Sequence, residues 1–227
     1  MTTMTFAQRR HAATSLALTA LLAAGAAQAQ LRFTEVAPWS SGNSPVAADW
    51  FELTNFGSSA FDITGFKVDD SSNSFAASVA LFGITSIAAG ESVIFIEGAS
   101  ANANFAPTWF GSTAPAGLQI GRYSGTGVGL SAGGDALNLF NATGTVLTRV
   151  DFGTSPGAAP FATFDNAAGL TGAVTLTTLS MVGINGALLS ATGNEIGSVG
   201  VVPEPGTWAM LLAGLAGVAA VARRRQR

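Results

Sequence analysis

The feature that most limits how this chain can fold is the absence of a long helical period between Leu31 and Val202. Short runs rich in β-branched and aromatic residues alternate there with clusters of Gly, Asn, Ser and Pro. Short strands separated by turn residues are typical of an all-β sandwich or barrel. We predict strands at residues 31–36, 50–55, 60–63, 66–69, 84–87, 92–97, 118–120, 136–140, 146–152 and 174–182.

Composition excludes several kinds of chemistry. The chain has no Cys, so it can form no disulfide, thiolate nucleophile or cysteine zinc site. Its one histidine is His11, which excludes histidine-dependent catalysis in the predicted folded region. Residues 30–202 hold twelve acids against four bases, a net charge of −8. Because such a body would repel phosphate, we expect no nucleic-acid partner.

Residues 1–29 have the pattern of a secretory signal peptide. A basic start at Arg9 and Arg10 precedes an apolar run at 12–24, which ends in the small-residue cleavage pattern of Ala27 and Ala29. We therefore expect export and a mature chain that starts near residue 30, without His11. The alternative is an uncleaved anchor helix, for which the apolar run is short.

A second apolar run, residues 206–222, contains no charge over 17 positions and would be about 25 Å long as a helix. This is the short end of what can span a bilayer. Trp208 precedes most of the run and an arginine cluster follows it, as expected for a transmembrane helix with its C-terminal end in the cytoplasm. The predicted cytoplasmic anchor charges are Arg223, Arg224, Arg225 and Arg227.

The tripeptide Pro203, Glu204 and Pro205 stands directly before this run. Tripeptide, apolar helix and arginine cluster at 202–227 together resemble the PEP-CTERM sorting signal. The resemblance implies processing by an exosortase, transient contact with the inner membrane, and delivery to the cell surface or extracellular matrix of a Gram-negative bacterium. A plain single-span anchor is the alternative, although it has no need of the Pro-Glu-Pro tripeptide.

The body between these segments has motifs of its own. Residues 49–57 read Asp-Trp-Phe-Glu-Leu-Thr-Asn-Phe-Gly, and 62–70 and 129–140 continue the pattern. They resemble the lamin-tail domain, which implies an immunoglobulin-like β-sandwich without catalysis of its own. Phe66 stands where that family usually has Trp, and 75–81 is longer than a tight hairpin requires. We place the lamin-tail-like sandwich at 30–152, followed at 153–201 by a β extension or a Gly/Ala-rich stalk.

Acidic pairs are the remaining candidates for chemistry. Asp49 with Glu52, or Asp69 with Asp70, could serve as the two carboxylates of a glycosidase, but the resemblance implies structural roles for them. Asp69, Asp70 and Asn73 form a weak calcium candidate, because Ca²⁺ prefers oxygen ligands. Four aromatics could stack on sugar rings, although core packing explains most of them. They are Trp39, Trp109, Phe110 and Tyr123.

The sequence therefore predicts a non-enzymatic, exported surface or matrix protein without a catalytic residue, cofactor or established metal site. Its partners would be an exosortase-like enzyme, the membrane and an extracellular polysaccharide of an exopolysaccharide matrix or biofilm. The alternatives are a carboxylate-dependent polysaccharide hydrolase and a calcium-stabilised adhesin.

Overall fold

A computed structural model describes residues 31–40, 44, 46–98 and 103–200. Strands dominate these ranges, which confirms the all-β prediction. No helix in them is long and apolar enough to cross a membrane. The predicted signal peptide with Ala27 and Ala29, the sorting motif and the terminal arginines lie outside the described residues.

The strands in chain order are β1 Leu31–Ala37, β2 Trp50–Asn55, β3 Phe61–Asp62, β4 Lys67–Asp69, β5 Val79–Phe82, β6 Ser86–Ile87, β7 Ser92–Glu97, β8 Ile120–Tyr123, β9 Asp135–Phe140, β10 Val146–Phe152, β11 Phe161–Ala162, β12 Phe164–Asp165, β13 Thr175–Leu176, β14 Leu188–Leu189 and β15 Glu195–Gly197. One helix, α1 at Phe105–Phe110, lies between β7 and β8.

Ten strands form one continuous ladder in the order β12-β1-β2-β7-β8-β5-β4-β9-β10-β13. Strand β5 pairs with β8 on one side and with β4 on the other, so the ladder turns from one layer into the second at this strand. Strands β1 and β10, far apart in the ladder, pack against each other. The result is a sandwich of two layers, with β1, β2, β7 and β8 in one and β4, β9 and β10 in the other.

The sandwich core lies between the layers and follows the period of two that strands impose. Phe51 and Leu53 of β2 and Leu137 and Leu139 of β9 are fully buried in it, as the alternating pattern predicts. The ring of Phe51 stacks on that of Phe95 with centroids 5.5 Å apart. These inward side chains fix which face of each strand is turned away from the core.

A second apolar cluster covers the opposite face of β2, which is why every residue of that strand is buried. Trp50 stands at its centre, with its ring centroid 5.7 Å from Trp39 and 5.8 Å from Trp109 of α1. A small sheet of β11, β15 and β14 lies over the same region, and Phe161 and Leu188 from it pack against the cluster.

Residues 153–200 supply much of this cover. Strand β12 pairs with β1 at one edge of the ladder, and β13 pairs in parallel with β10 at the other. Both edge strands therefore come from this segment, as do all three strands of the small sheet.

Strand β1 contains a bulge that decides where its acidic side chain points. Phe33 is opposite Leu53, whereas Glu35 is opposite Glu52, so Thr34 is an extra residue in the ladder. An extra residue interrupts strict alternation. Phe33 consequently faces the sandwich core. Glu35 faces the opposite side of the sheet, where it lies next to Glu52 and is covered by residues of the segment 153–200.

Candidate functional site, a buried carboxyl pair

Two glutamates on neighbouring strands form the most unusual polar feature of the described residues. Glu35 of β1 and Glu52 of β2 are cross-strand partners, and their side chains are 0% and 1% exposed. We call them the carboxyl pair. Moving a carboxylate out of water costs several kcal/mol unless hydrogen bonds or opposite charge compensate, so their surroundings indicate what they do.

Glu35 accepts its hydrogen bonds at Oε1, and every donor lies in the C-terminal segment. The donors are the hydroxyl of Thr163, the backbone N–H of Ser198 at 2.7 Å and the hydroxyl of Ser180 at 3.4 Å. Its Oε2 atom is buried without a partner. Burial raises the pKa of Glu35 to about 7, and the hydrogen bonds partly oppose that rise.

Glu52 lies at the end of a chain of hydroxyl groups that crosses three strands. Its Oε1 accepts from the Thr34 hydroxyl at 2.6 Å, Thr34 bonds Thr54 at 2.8 Å, and Thr54 bonds Ser92 at 2.6 Å. Its Oε2 accepts the backbone N–H of Gly200 at 2.8 Å. Burial, followed by the neighbouring carboxyl of the pair, raises the pKa of Glu52 to about 8.

No base of the described residues compensates the pair. The single ion pair in these ranges joins Arg149 to Asp151. Arg32 donates to backbone carbonyls, Lys67 lies over the ring of Phe75, and Arg122 lies over that of Phe82. Hydroxyl and amide donors alone therefore stabilise the charged form of the pair.

The structure separates the acidic pair that the sequence singled out. Asp49 and Glu52 are three positions apart, which places their side chains on opposite faces of the strand. Asp49 accepts the backbone N–H groups of Ser40 at 2.8 Å and Leu130 at 2.7 Å. Burial raises the pKa of Asp49 to about 6. Its contacts fasten two loops at one end of the sandwich.

The weak calcium candidate is a compact loop with many internal hydrogen bonds. Asp69 Oδ2 accepts the hydroxyl of Ser72 and the backbone N–H of Ser74, each at 2.6 Å, while its buried Oδ1 has no partner. Asp70 Oδ1 accepts the N–H of Ser72, and Asn73 has a left-handed backbone. Within the described ranges, no group of three or more acidic or imidazole side chains is arranged to hold a metal ion.

Three of the four aromatics considered for sugar stacking are in the interior. Trp39 and Tyr123 are 0% exposed and Trp109 is 2% exposed, while Phe110 is half-buried against the second cluster. The first three are therefore core residues, because a ring must present a face to solvent before a sugar can stack on it.

Glu35 is the residue that sequence reasoning missed. The run Leu31, Phe33, Glu35 places an acid where strict alternation calls for an apolar side chain, and Val36 follows directly. A charge that breaks a period of two inside a strand is a signal for a bulge.

The comparisons with known proteins agree with this architecture. Residues 24–154, more than half of the chain, match the Lamin Tail Domain family. The chain belongs to the lamin tail domain family. This match supports the immunoglobulin-like sandwich. Phe66, in place of the usual Trp, is buried in the sandwich core of this lamin tail domain.

A second match covers residues 201–226 and is to the PEP-CTERM protein-sorting motif. The motif marks the chain as an extracellular protein of a Gram-negative bacterium that is exported through the membrane and sorted by an exosortase. No curated protein and no solved structure matches the chain significantly.

Proposed function

We propose that this lamin tail domain protein is a non-enzymatic component of the cell surface or extracellular matrix. An exosortase-type enzyme would recognise Pro203, Glu204 and Pro205 while residues 206–222 hold the chain in the inner membrane. The body would then act as a binding or structural module in an exopolysaccharide matrix or biofilm. The match of residues 201–226 to the sorting motif carries the proposal.

The environment of the acids supports a body without catalysis. Glu35, Glu52, Asp49 and Glu195 are each almost fully buried, and each accepts hydrogen bonds that join distant segments. A glycosidase acid must reach the glycosidic oxygen of its substrate. Solvent-shielded carboxyls that bind distant parts of the chain are typical of structural roles instead.

The experiment is an intact-mass measurement of the mature protein recovered from the cell surface and from the medium. We expect a chain that starts near residue 30 and ends near Pro203. A mature species that retains residues 206–227 would contradict processing at the motif.

Function in the matrix is tested by incubating the purified mature protein with exopolysaccharide from the producing cells. We expect the protein to sediment with the polysaccharide and the polysaccharide to keep its size. Release of oligosaccharides that stops in the Glu52→Gln variant would instead establish the hydrolase alternative.

The adhesin alternative is tested by melting the protein with and without millimolar Ca²⁺. A ligand that binds only the native state raises its apparent stability. We expect equal melting temperatures, and a rise that disappears in Asp69→Asn would support the calcium-stabilised protein.

A further inference from the structure

The last described residues of the chain are bound directly to the carboxyl pair. We call residues 195–200 the stem, because the sorting motif follows them. Glu35 Oε1 accepts the N–H of Ser198 at 2.7 Å, and Glu52 Oε2 accepts the N–H of Gly200 at 2.8 Å. Both acceptors belong to central strands of the sandwich, so the stem is attached to the body itself and not only to its neighbours in sequence.

Hydrogen bonds to a buried acid and the pairing of a strand hold the stem at its N-terminal side. Glu195 is fully buried and accepts the hydroxyls of Ser44 at 3.0 Å, Thr192 at 2.7 Å and Ser190. Strand β15 at the start of the stem pairs with both β11 and β14. The stem is therefore anchored at both of its ends.

The residues between these two anchors are tightly packed against the body. A Cβ atom on Gly197 would lie 2.6 Å from Glu35 Oε1 and 2.9 Å from Trp109 Cη2, closer than real atoms approach. A Cβ atom on Gly200 would lie 2.7 Å from Leu118 Cδ1, and this glycine has a φ of +71°. Val199 between them is 5% exposed in the second apolar cluster.

Chain length then limits how far the sorting motif can stand from the body. Pro203 is three residues beyond Gly200, and three residues reach at most about 11 Å. A body of 170 residues has a radius of gyration of about 15 Å. An enzyme that acts on Pro203 must therefore work within about 11 Å of Gly200. This distance is shorter than the radius of gyration of the body.

One recurring mode of peptide recognition binds the peptide as an extended strand through its free backbone N–H and C=O groups. The stem does not offer one, since the N–H groups of Ser198 and Gly200 are occupied and Gly200 is left-handed rather than extended. Release of the stem would add up to six residues to the free segment before Pro203.

We propose that the carboxyl pair controls access of the sorting enzyme to the motif by holding the stem on the body. Processing is slow while Glu35 and Glu52 bind the stem and fast once it is released. Both glutamates are positioning residues for this reaction. The proposal rests on the proposed function, since it presumes cleavage near Pro203.

The test is a pulse-chase measurement of processing of the full-length chain in cells that contain the sorting enzyme, read by intact mass. One variant carries six Gly and Ser residues inserted after Gly200, which lengthens the free segment and leaves the carboxyl pair intact. A second is Glu52→Ala, and a third combines the two changes. Asp62→Ala is the control, because its exposed carboxylate bonds the hydroxyl and the backbone N–H of Thr64, two residues away, and does not touch the stem.

We expect Glu52→Ala to raise the initial processing rate about three- to tenfold, the change in an opening equilibrium that follows loss of the hydrogen bond to Gly200. The insertion should raise the rate at least as much, because it lengthens the free segment before Pro203 without any release of the stem. The combined variant should gain little more, and Asp62→Ala should process like the unaltered chain. Amide hydrogen exchange should show faster exchange at Gly200 in Glu52→Ala, with the β9 and β10 amides still protected.

Three results would overturn the proposal. The first is an unchanged or slower processing rate in the insertion variant. This variant substitutes no residue of the body, so the result does not depend on whether a substituted body still folds. The second is an unchanged rate in a folded Glu52→Ala protein whose Gly200 amide exchanges quickly. The third is a combined variant whose gains multiply. Absence of processing in the unaltered chain would contradict the proposed function instead.

Discussion

At the scale of single residues, this body uses buried acids to bind the backbone of remote segments. Glu35, Glu52 and Asp49 accept N–H groups from residues 163, 148 and 81 positions away, respectively. Each bond to a carboxylate is stronger than a neutral one, but each acid has also lost its hydration. Such bonds favour one arrangement of the chain over others. They also make the stability of the folded protein depend on pH.

We predict that the body becomes less stable as pH rises from about 5 to about 8.5. Unfolded carboxyls titrate near pH 4, whereas burial raises the pKa of Glu35 to about 7 and that of Glu52 to about 8. Between the unfolded pKa values and the folded ones, the folded protein binds more protons than the unfolded chain. The free energy of unfolding therefore falls as the pH rises. The full contribution is present below about pH 4.

Thermal unfolding of the mature protein across this pH range measures the effect. Glu52→Gln removes one titrating group, so its melting temperature should fall less between about pH 5 and about pH 8.5. A smaller slope remains in that variant, because Glu35 and Asp49 still titrate with raised pKa values. A melting temperature that rises over the same interval would contradict the assignment.

The sequence could supply the acids but not their partners. Asp49 and Glu52 stand out because they flank Trp50 in the lamin tail motif. Their separation onto opposite faces follows from the period of two. The approach of Glu35 to Glu52 depends on the bulge at Thr34, and the donors on Ser198 and Gly200 lie over 140 residues from Glu52. No local pattern encodes that distance.

At the scale of elements, long strands with a clear apolar alternation were predictable. Strands β2, β7 and β10 have the predicted bounds, and β1 and β9 are each one residue longer at one end. Each of these long strands buries a row of apolar side chains. Such a row requires apolar residues at alternate positions, and this alternation is the pattern that predicts a strand.

Short elements were not predictable for physical reasons. Strand β5 was missed, because three of its four residues are only partly buried or exposed. The predicted strand at 174–182 is reduced to Thr175–Leu176 and an isolated bridge between Phe164 and Leu179. Helix α1 has six residues and contains Pro107, too short for a helical period. Such elements are formed by partners remote in sequence.

Helix α1 offers a test of the second apolar cluster. We predict that Trp109→Ala lowers the free energy of unfolding by about 3–5 kcal/mol, the usual cost of removing a large buried side chain. Trp109 contacts Trp39, Trp50 and Phe105 and is 2% exposed. Denaturant unfolding followed by circular dichroism is the measurement.

Phe82→Ala is the matched control, since this aromatic residue is 43% exposed on β5. Its substitution should cost less than about 1 kcal/mol, mostly through the lost contact with Arg122. Equal losses in the two variants would show that α1 and its cluster contribute no more to stability than a surface ring.

At the scale of the whole molecule, the fold extends past the part that carries the family motifs. The matched region ends at residue 154, yet both edge strands of the ladder and the small sheet over Trp50 come from later residues. Open edges and an exposed apolar face favour association between chains. In this protein the segment after β10 covers both.

Truncation tests this dependence. We predict that a protein of residues 30–200 unfolds in one cooperative transition, whereas residues 30–152 aggregate or lack a transition. The shorter chain would lose β12 and β13 and expose the cluster of Trp39, Trp50 and Ile94, with Ile96, that the small sheet covers. Exposing four buried side chains of this size costs about 1.5–3 kcal/mol each, and typical domains have only about 5–15 kcal/mol of stability in total.

The measurements are elution volume, tryptophan fluorescence and thermal unfolding of both chains. Because the truncated chain keeps every family motif and all of the buried sandwich core except Phe164 and Leu176, a monomeric, cooperatively melting 30–152 protein would mean that the motif-bearing region folds alone and that the later residues only cover it.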